Sequence, residues 1–348
     1  MMQISQRSDL SKRKKAVIRV IAILFAISFA GVFIAILGFN PIKVYTEIIM
    51  GALGTARRFK ATVNITIPLV ITSLGILVAF KMKFWNIGGE GQIMMGAFSA
   101  SYVALNYGDL PRPILLVFMA VAAIIGGALW AFIPAFFKIK MGTNETIFTL
   151  MMNYIAIKWI TYLQYGPWRD PNSLGFPKVA NFSKNALLPE VLGFHIGWMI
   201  MFILIAVIVI FMNYSKKGFE IAVIGESVNT AKYAGMNVPL VVIIGMLLSG
   251  GLCGLVGMIQ ASAIERTLNV SISSGYGFTA IITTWLSGLK PSFILMTSFF
   301  FAIMIQGGIF IQTALRVPNS AADMIQGILL FFVLGSEFFI QYKLSFKK

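Results

Sequence analysis

Apolar runs of about 20 residues, separated by short polar or Gly/Pro-rich breaks, recur along almost the whole chain, and each matches the length a helix needs to cross the bilayer hydrocarbon. They fall near 17–38, 62–80, 87–105, 113–137, 144–163, 195–213, 240–262, 271–289, 292–313 and 320–341. The pattern predicts an all-α, polytopic membrane protein with about ten transmembrane helices. The breaks are unequal. Residues 216–239, KKGFEIAVIGESVNTAKYAGMNVP, form the one long polar stretch. A chain that only had to turn around needs a shorter loop. This stretch is long enough for a short helix on each side of Gly225, protruding as a docking surface for another protein. Residues 40–61 and 164–194 are the two long breaks on the opposite side. The first contains an apolar stretch, 44–53, expected as a short interfacial helix. The second holds Pro167, Pro171, Pro177 and Pro189 with Trp168 and Arg169, which suits an ordered, non-helical cap.

Composition fixes the class. The chain is 58% hydrophobic and 11% charged, with a mean hydropathy of +0.86, whereas soluble domains are about 25% charged. The first apolar run follows basic residues, but it is long, lacks a small-residue cleavage site and precedes further spans, so it reads as a retained helix. A single cysteine, Cys253, excludes an internal disulfide or thiolate cluster, and a single histidine, His195, argues against a His-based metal site. The net charge of +16 does not imply nucleic acid. With ten spans and an internal N-terminus, the larger share of the Lys and Arg residues falls on the cytoplasmic side, as the positive-inside rule requires. That arrangement puts both termini and 216–239 in the cytoplasm, and 40–61 and 164–194 outside. Arg57, Arg58 and Lys60 run against it. The expected organisation is a basic N-terminal tail, 1–16, a membrane domain, 17–342, and a short tail, 343–348. The first eleven residues read as disordered or lying on anionic headgroups.

No hydrolytic constellation is visible, and no GxxxxGK[ST] loop exists to bind ATP. Three polar constellations lie within spans. In Phe84–Gln92, FWNIGGEGQ, Asn86, Glu90 and Gln92 surround Gly88, Gly89 and Gly91. Each glycine weakens a helix by about 1 kcal/mol relative to alanine, which predicts a broken or late-starting helix. Its polar side chains either satisfy freed backbone groups or shape a translocation path. In Gly142–Asn153, GTNETIFTLMMN, Thr143 is a candidate cap, and Glu145, Thr149 and Asn153 form one polar stripe at i, i+4 and i+8. Interhelical hydrogen bonding and pathway lining both account for it. In Ser249–Gly257, SGGLCGLVG, Gly250, Gly254 and Gly257 share a face suited to close helix packing, which Gln260 continues. Further on, Tyr276, Phe278, Thr283, Thr284 and Trp285 mix aromatic rings with hydroxyls, as packing groups or as contacts for a ring-shaped solute.

Four motifs occur in order across residues 84–261: FWNIGGEGQIMMGAF, MGTNETIFTLMMNYIA, GFEIAVIGESVNTAKYAGMN and LSGGLCGLVGMIQ. Together they resemble the membrane permease of bacterial ABC importers for simple sugars and nucleosides, nearest the nucleoside branch. The resemblance implies a non-enzymatic subunit of the bacterial plasma membrane that works by alternating access. Its partners would be a second, homologous permease, cytoplasmic ABC ATPase modules (separate or fused) and an extracellular substrate-binding lipoprotein. ATP and Mg2+ would be used by the ATPase, with no cofactor on this chain. Gly218, Glu220, Gly225, Glu226, Ala231, Ala234 and Gly235 would belong to the ATPase-coupling segment, with Glu226 either contacting the ATPase or capping the second short helix. Asn86, Glu90, Gln92, Glu145, Thr149, Asn153, Gln260, Thr284 and Trp285 are the candidate translocation path. The alternatives are a permease for ribose, galactose or a branched-chain amino acid, and a proton- or sodium-coupled secondary transporter using Glu90 and Glu145.

Overall fold

The structure, a computed structural model, describes residues 2–6, 11–173 and 175–346. Its helices are Lys12–Ile36 (α1), Pro41–Leu53 (α2), Ala56–Lys81 (α3), Gly89–Asn106 (α4), Arg112–Met141 (α5), Glu145–Tyr165 (α6) and Gly197–Tyr214 (α7). They continue with Lys216–Glu226 (α8), Val228–Tyr233 (α9), Val238–Ile259 (α10), Tyr276–Leu286 (α11), Pro291–Ala314 (α12) and Asn319–Gln341 (α13). Helix α10 runs on as a π-helix, Gln260–Glu265. Two short antiparallel pairs complete the elements: Met2–Gln6 (β1) with Tyr342–Phe346 (β4), and Glu190–Val191 (β2) with Phe194–His195 (β3). Local chemistry sets the boundaries. Asn40 Oδ1 accepts from the N–H groups of Ile42 and Lys43 to cap α2, and Gly142, at φ 65°, ends α5. The cap of α6 is Asn144, whose Oδ1 accepts from Thr146 and Ile147 N–H, rather than the expected Thr143.

Among the described residues, five helices are long and apolar enough to cross a membrane alone: α3, α5, α7, α10 with its π-helical extension, and α12. Residues 20–36 of α1 qualify only together with α2, which is bent by 112° to them. Helices α4, α6 and α13 occupy the expected spans 87–105, 144–163 and 320–341. In α4 and α6, polar residues such as Glu90, Gln92, Asn153 and Lys158 replace apolar ones. The expected span 271–289 is not one helix. Only α11 forms there, and its 11 residues reach about 17 Å, half of the ~30 Å hydrocarbon core. The short helix expected over 44–53 is α2, which fills 41–53, and α3 already starts at Ala56, so the break at 40–61 is mostly helical. Residues 166–196 form the expected non-helical cap, with one 3-10 turn, Lys184–Ala186, and the β2–β3 pair. Of the expected N-terminal tail, residues 2–6 are strand and α1 begins at Lys12. Residues 1 and 7–10, and 347–348 of the C-terminal tail, lie outside the described residues.

The chain divides into two compact units, residues 1–65 with 299–348, and residues 66–298. In the first, α1 packs along α13, and Ala30, Ile34, Val44, Ile48, Ile311 and Ala322 are among the buried core residues. Arg58, part of the cationic cluster that opposed the charge rule, is tied into this unit. Its guanidinium lies 4.0 Å over the Phe310 ring and donates to the Met50 carbonyl at 3.0 Å. In the second unit α4, α5 and α10 form the centre. Backbones meet there without side chains between them: Gly254 lies against Gly96, Gly127 and the Ala123 carbonyl, Gly250 against Gly127, and Gly257 against Ile93 and Ala97. The glycine face expected of α10 is this packing surface.

A Cβ at Gly254 would run into the Ala123 carbonyl, whereas one at Gly327 meets nothing within 4 Å. Gly254→Leu is therefore expected to abolish folded, monodisperse protein in detergent, while Gly327→Ala leaves its yield unchanged. Size-exclusion profiles of the two variants check this.

Candidate functional site

The first candidate region is built around the point where α4 starts late. Residues 82–88 leave α3 and run on without helical structure until Gly89. Asn86 donates to Ser249 Oγ at 3.0 Å, and Ser249 lies about 16 Å along α10 from Val238. The break therefore sits well inside the span. A helix start there leaves backbone N–H groups with no water to meet them, and side chains supply the partners. Asn86 Oδ1 accepts from Gly88 N–H (3.0 Å) and from Gln92 Nε2 (3.0 Å), and Thr149 Oγ1 accepts from Ile87 N–H (3.2 Å). Asn153 bridges the break: its Oδ1 accepts from Gly91 N–H at 2.8 Å, and its Nδ2 donates to the Ile87 carbonyl at 3.0 Å. Gly91 admits this contact because a Cβ there would press on Asn153 and Trp130.

The second broken element meets the first. Glu90, only 5% exposed, accepts from Gly275 N–H at 3.0 Å and Gly277 N–H at 2.8 Å, the first free donors of α11. A carboxylate at a helix N-terminus is also favoured by the helix dipole. Helix α11 is fixed further along by Thr284, which donates to the Ser73 carbonyl at 3.0 Å, and by a Ser73–Thr283 hydroxyl contact. Trp285 stacks on Trp85 at 5.5 Å and 12°, with Phe80 at 6.0 Å from Trp285. Gln260 is buried beside the Tyr276 hydroxyl at the start of the π-helical turn. The irregular lead-in to α11 is laced to the cap: Thr267 donates to the Val179 carbonyl, Val270 N–H to Gln164 Oε1, and Phe182 N–H to the Arg266 carbonyl.

Of the nine expected path residues, Asn86, Glu90, Gln92, Thr149 and Asn153 thus converge, all buried and all bonded within the chain. Thr284 and Trp285 stand along α11, and Gln260 near its start. Glu145 departs from its stripe. It pairs with Lys138 at 2.7 Å at the end of α5, while Thr149 and Asn153 turn to the α4 break.

The second region is α8 and α9. Ser215 caps α8, its Oγ accepting from Gly218 N–H at 2.9 Å. The helix break falls at Ser227 (φ −156°, ψ 116°) rather than at Gly225, and Ser227 Oγ accepts from Thr230 N–H to cap α9. Glu226 is therefore not the cap; it is the exposed last residue of α8. Gly218 and Gly225 are contact glycines: a Cβ would strike the Phe211 carbonyl at the first and the Lys81 carbonyl at the second. Glu220 is buried and pairs with Lys217 at 2.7 Å, and Ala231 is buried beneath α9. Gly235, at φ 74°, turns the chain toward α10, and it is exposed together with Ala234. Sequence reasoning missed the large apolar side chains left outside: Phe219 at 61%, Val228 at 44% and Tyr233 at 93% exposure. Their signal was their position on the outward side of two short helices whose inward side carries Gly218, Ile221, Ile224 and Gly225 in α8 and Ala231 in α9.

A bundle with interior helix breaks and a two-helix segment that presents apolar side chains outward defines a polytopic membrane transport subunit. The family model described as "Branched-chain amino acid transport system / permease component" matches residues 59–334, so the chain belongs to that family and is a multi-pass protein of the cell membrane. It is 29% identical to the glucose ABC transporter permease protein TsgB13 of Haloferax volcanii, over 94% of this chain and 89% of that one. It is 28% identical to the nucleoside ABC transporter permease protein NupB of Lactococcus lactis, over 93% and 92%. With the guanosine ABC transporter permease protein NupP of Bacillus subtilis it shares 27%, over 91% and 92%.

The Asn153 bridge generates a stability prediction. Asn153→Ala would orphan two buried backbone groups at about 1–3 kcal/mol each. We expect the unfolding midpoint in detergent to fall by several degrees, against no resolvable change for Val207→Ala on the exposed face of α7. Equal midpoints for the two variants would show that the bridge carries no weight.

Proposed function

We propose that this chain is one permease subunit of an ATP-driven importer that takes up nucleosides by alternating access. The observation that carries the reading is the two-helix segment α8–α9, packed through Gly218, Gly225 and Ala231 while Phe219, Glu226, Val228 and Tyr233 face outward. A surface of that kind seats in a partner. A cytoplasmic ABC ATPase that holds ATP and Mg2+ is the partner that fits a family of transport permeases. Movement of its modules would be transmitted through α8 to the ends of α7 and α3, which Gly218 and Gly225 touch, and so to the bundle. The nucleoside assignment is supported by the Lactococcus and Bacillus relatives, a nucleoside and a guanosine permease that align along nearly their whole lengths. The Haloferax relative, similar at the same level, keeps a simple sugar as the second reading.

The membrane arrangement we infer has ten crossings, in which the lead-in at 266–275 and α11 together make one discontinuous crossing. Both termini lie in the cytoplasm; the β1–β4 pairing, which brings the two terminal segments together, and the basic residues around Lys12–Arg19 support this. Segment 216–239 is then cytoplasmic, and the cap at 164–194 meets an extracellular substrate-binding lipoprotein. A second, homologous permease completes the pore. The secondary-transporter reading loses its support, because Glu90 is committed to two backbone N–H groups and Glu145 to Lys138. Asn86, Gln92, Thr149 and Asn153 serve in this account as the frame of the path rather than as solute contacts.

In proteoliposomes holding the permeases, ATPase and binding protein, nucleoside uptake is expected to need internal ATP and to survive collapse of proton and sodium gradients; loss of uptake on collapse would overturn the reading. An excess of glucose should not compete. Glu226→Lys and Tyr233→Ala should leave the complex in the membrane and reduce substrate-stimulated ATP hydrolysis several-fold, whereas normal stimulation would remove α8–α9 from the coupling role.

A further inference from the structure

Helix α6 carries on its outer face a cation that the fold does not use. Lys158 is exposed and makes no ion pair among the described residues. It lies about 10 Å short of the C-terminal end of α6 at Tyr165. Lipid is a poor neighbour for this position, because an ammonium within a span is costly. Snorkelling can relieve a lysine near a helix end. It does not relieve Tyr154, one turn deeper, about 16 Å from that end and 56% exposed, whose hydroxyl also needs a polar neighbour. Dry contact with a second copy of this helix is no better. It would set Lys158 against Lys158, and the one carboxylate of α6, Glu145, sits at the far end and is taken by Lys138. A face that meets water within the membrane would satisfy both the ammonium and the hydroxyl.

The face also has a shape. Tyr154, Lys158, Trp159 and Tyr162 line an open groove of about 580 Å3. Its rings continue toward the cap: Trp159 lies 5.9 Å from Tyr162 and 5.8 Å from Phe98, and Phe98 stacks at 5.3 Å on Trp168. A succession of aromatic faces suits a flat, conjugated ring, which stacks without regard to identity. A lysine ammonium adds discrimination, since it can only donate and therefore prefers an edge of acceptors. The O6 and N7 atoms of guanine present such an edge, whereas adenine places an amino group there.

We propose that this face of α6 lines the solute path and that Lys158 is its specificity-determining residue, favouring 6-oxopurine nucleosides over adenosine. The proposal rests on the nucleoside-import reading. Its test uses the complete transporter with Cys253, the chain's one cysteine, replaced by alanine. With Lys158→Cys added, a membrane-impermeant thiol reagent should label the new thiol, and guanosine with the binding protein should slow labelling several-fold. No labelling in a transporter that still imports would overturn the wet face. In uptake assays Lys158→Met should lower guanosine import about tenfold relative to adenosine, and Lys158→Arg should restore part of it. An equal fall for both nucleosides, or none, would overturn the specificity role. If the wild-type transporter imports no nucleoside, the import reading fails and takes the purine assignment with it, while labelling at position 158 still decides whether the face is wet.

Discussion

A helix that stops inside a membrane leaves backbone donors and acceptors where no water can reach them, and the architecture of this protein turns on how those groups are met. Two helices, α4 and α11, start within the bundle. Their first amides are satisfied by side chains from other parts of the chain: Asn153 and Thr149 for the α4 break, and Glu90 for α11. Each bond fixes one element against another, so the same atoms that satisfy the breaks also set the packing of α4, α6, α10 and α11. Glycines complete the arrangement. Gly277 lies directly against Glu90, and Gly91 against Asn153, approaches that a side chain would prevent.

This gives the polar residues of the interior and those of the exterior different work. Inside, Asn86, Glu90 and Gln92 of the Phe84–Gln92 motif are all hydrogen-bonded within the chain. Outside, Phe219 and Tyr233 on the α8–α9 segment and Lys158 on α6 are exposed, and these are the residues proposed to meet other molecules. A motif residue that looks functional because it is polar within a span can therefore be a framing residue, and the contact residues can be the less conspicuous ones nearby. Helix α8 packs on the bundle through Gly218, Ile221, Ile224 and Gly225, with its two glycines against the Phe211 and Lys81 carbonyls.

Much of this was legible in the sequence. Three glycines in Gly88–Gly91 announced the late start of α4, the α10 glycines announced a close packing face, and the prolines of 164–194 announced a non-helical cap. The half-length of α11 was not legible, because residues 271–289 have the composition of an ordinary span. What holds the start of the helix is Glu90, 185 residues away from Gly275, and periodicity carries no trace of so distant a partner. The polar stripe of α6 was read correctly as a face that avoids lipid, yet its three members part company. Glu145 is close enough to the α5 end to prefer Lys138, and only Thr149 and Asn153 reach the break. The division at Ser227 rather than Gly225 has a local cause: serine caps α9 with its own hydroxyl, while Gly225 is needed as a contact against the Lys81 carbonyl.

Hydrogen–deuterium exchange of the assembled transporter tests this dependence most directly. Peptides covering 84–92 and 273–279 are only partly helical, yet if side chains hold their amides, they should exchange as slowly as the interior of α10. Glu90→Gln should release the 273–279 peptide selectively. Exchange of both wild-type peptides as fast as the cap at 166–194 would contradict the account.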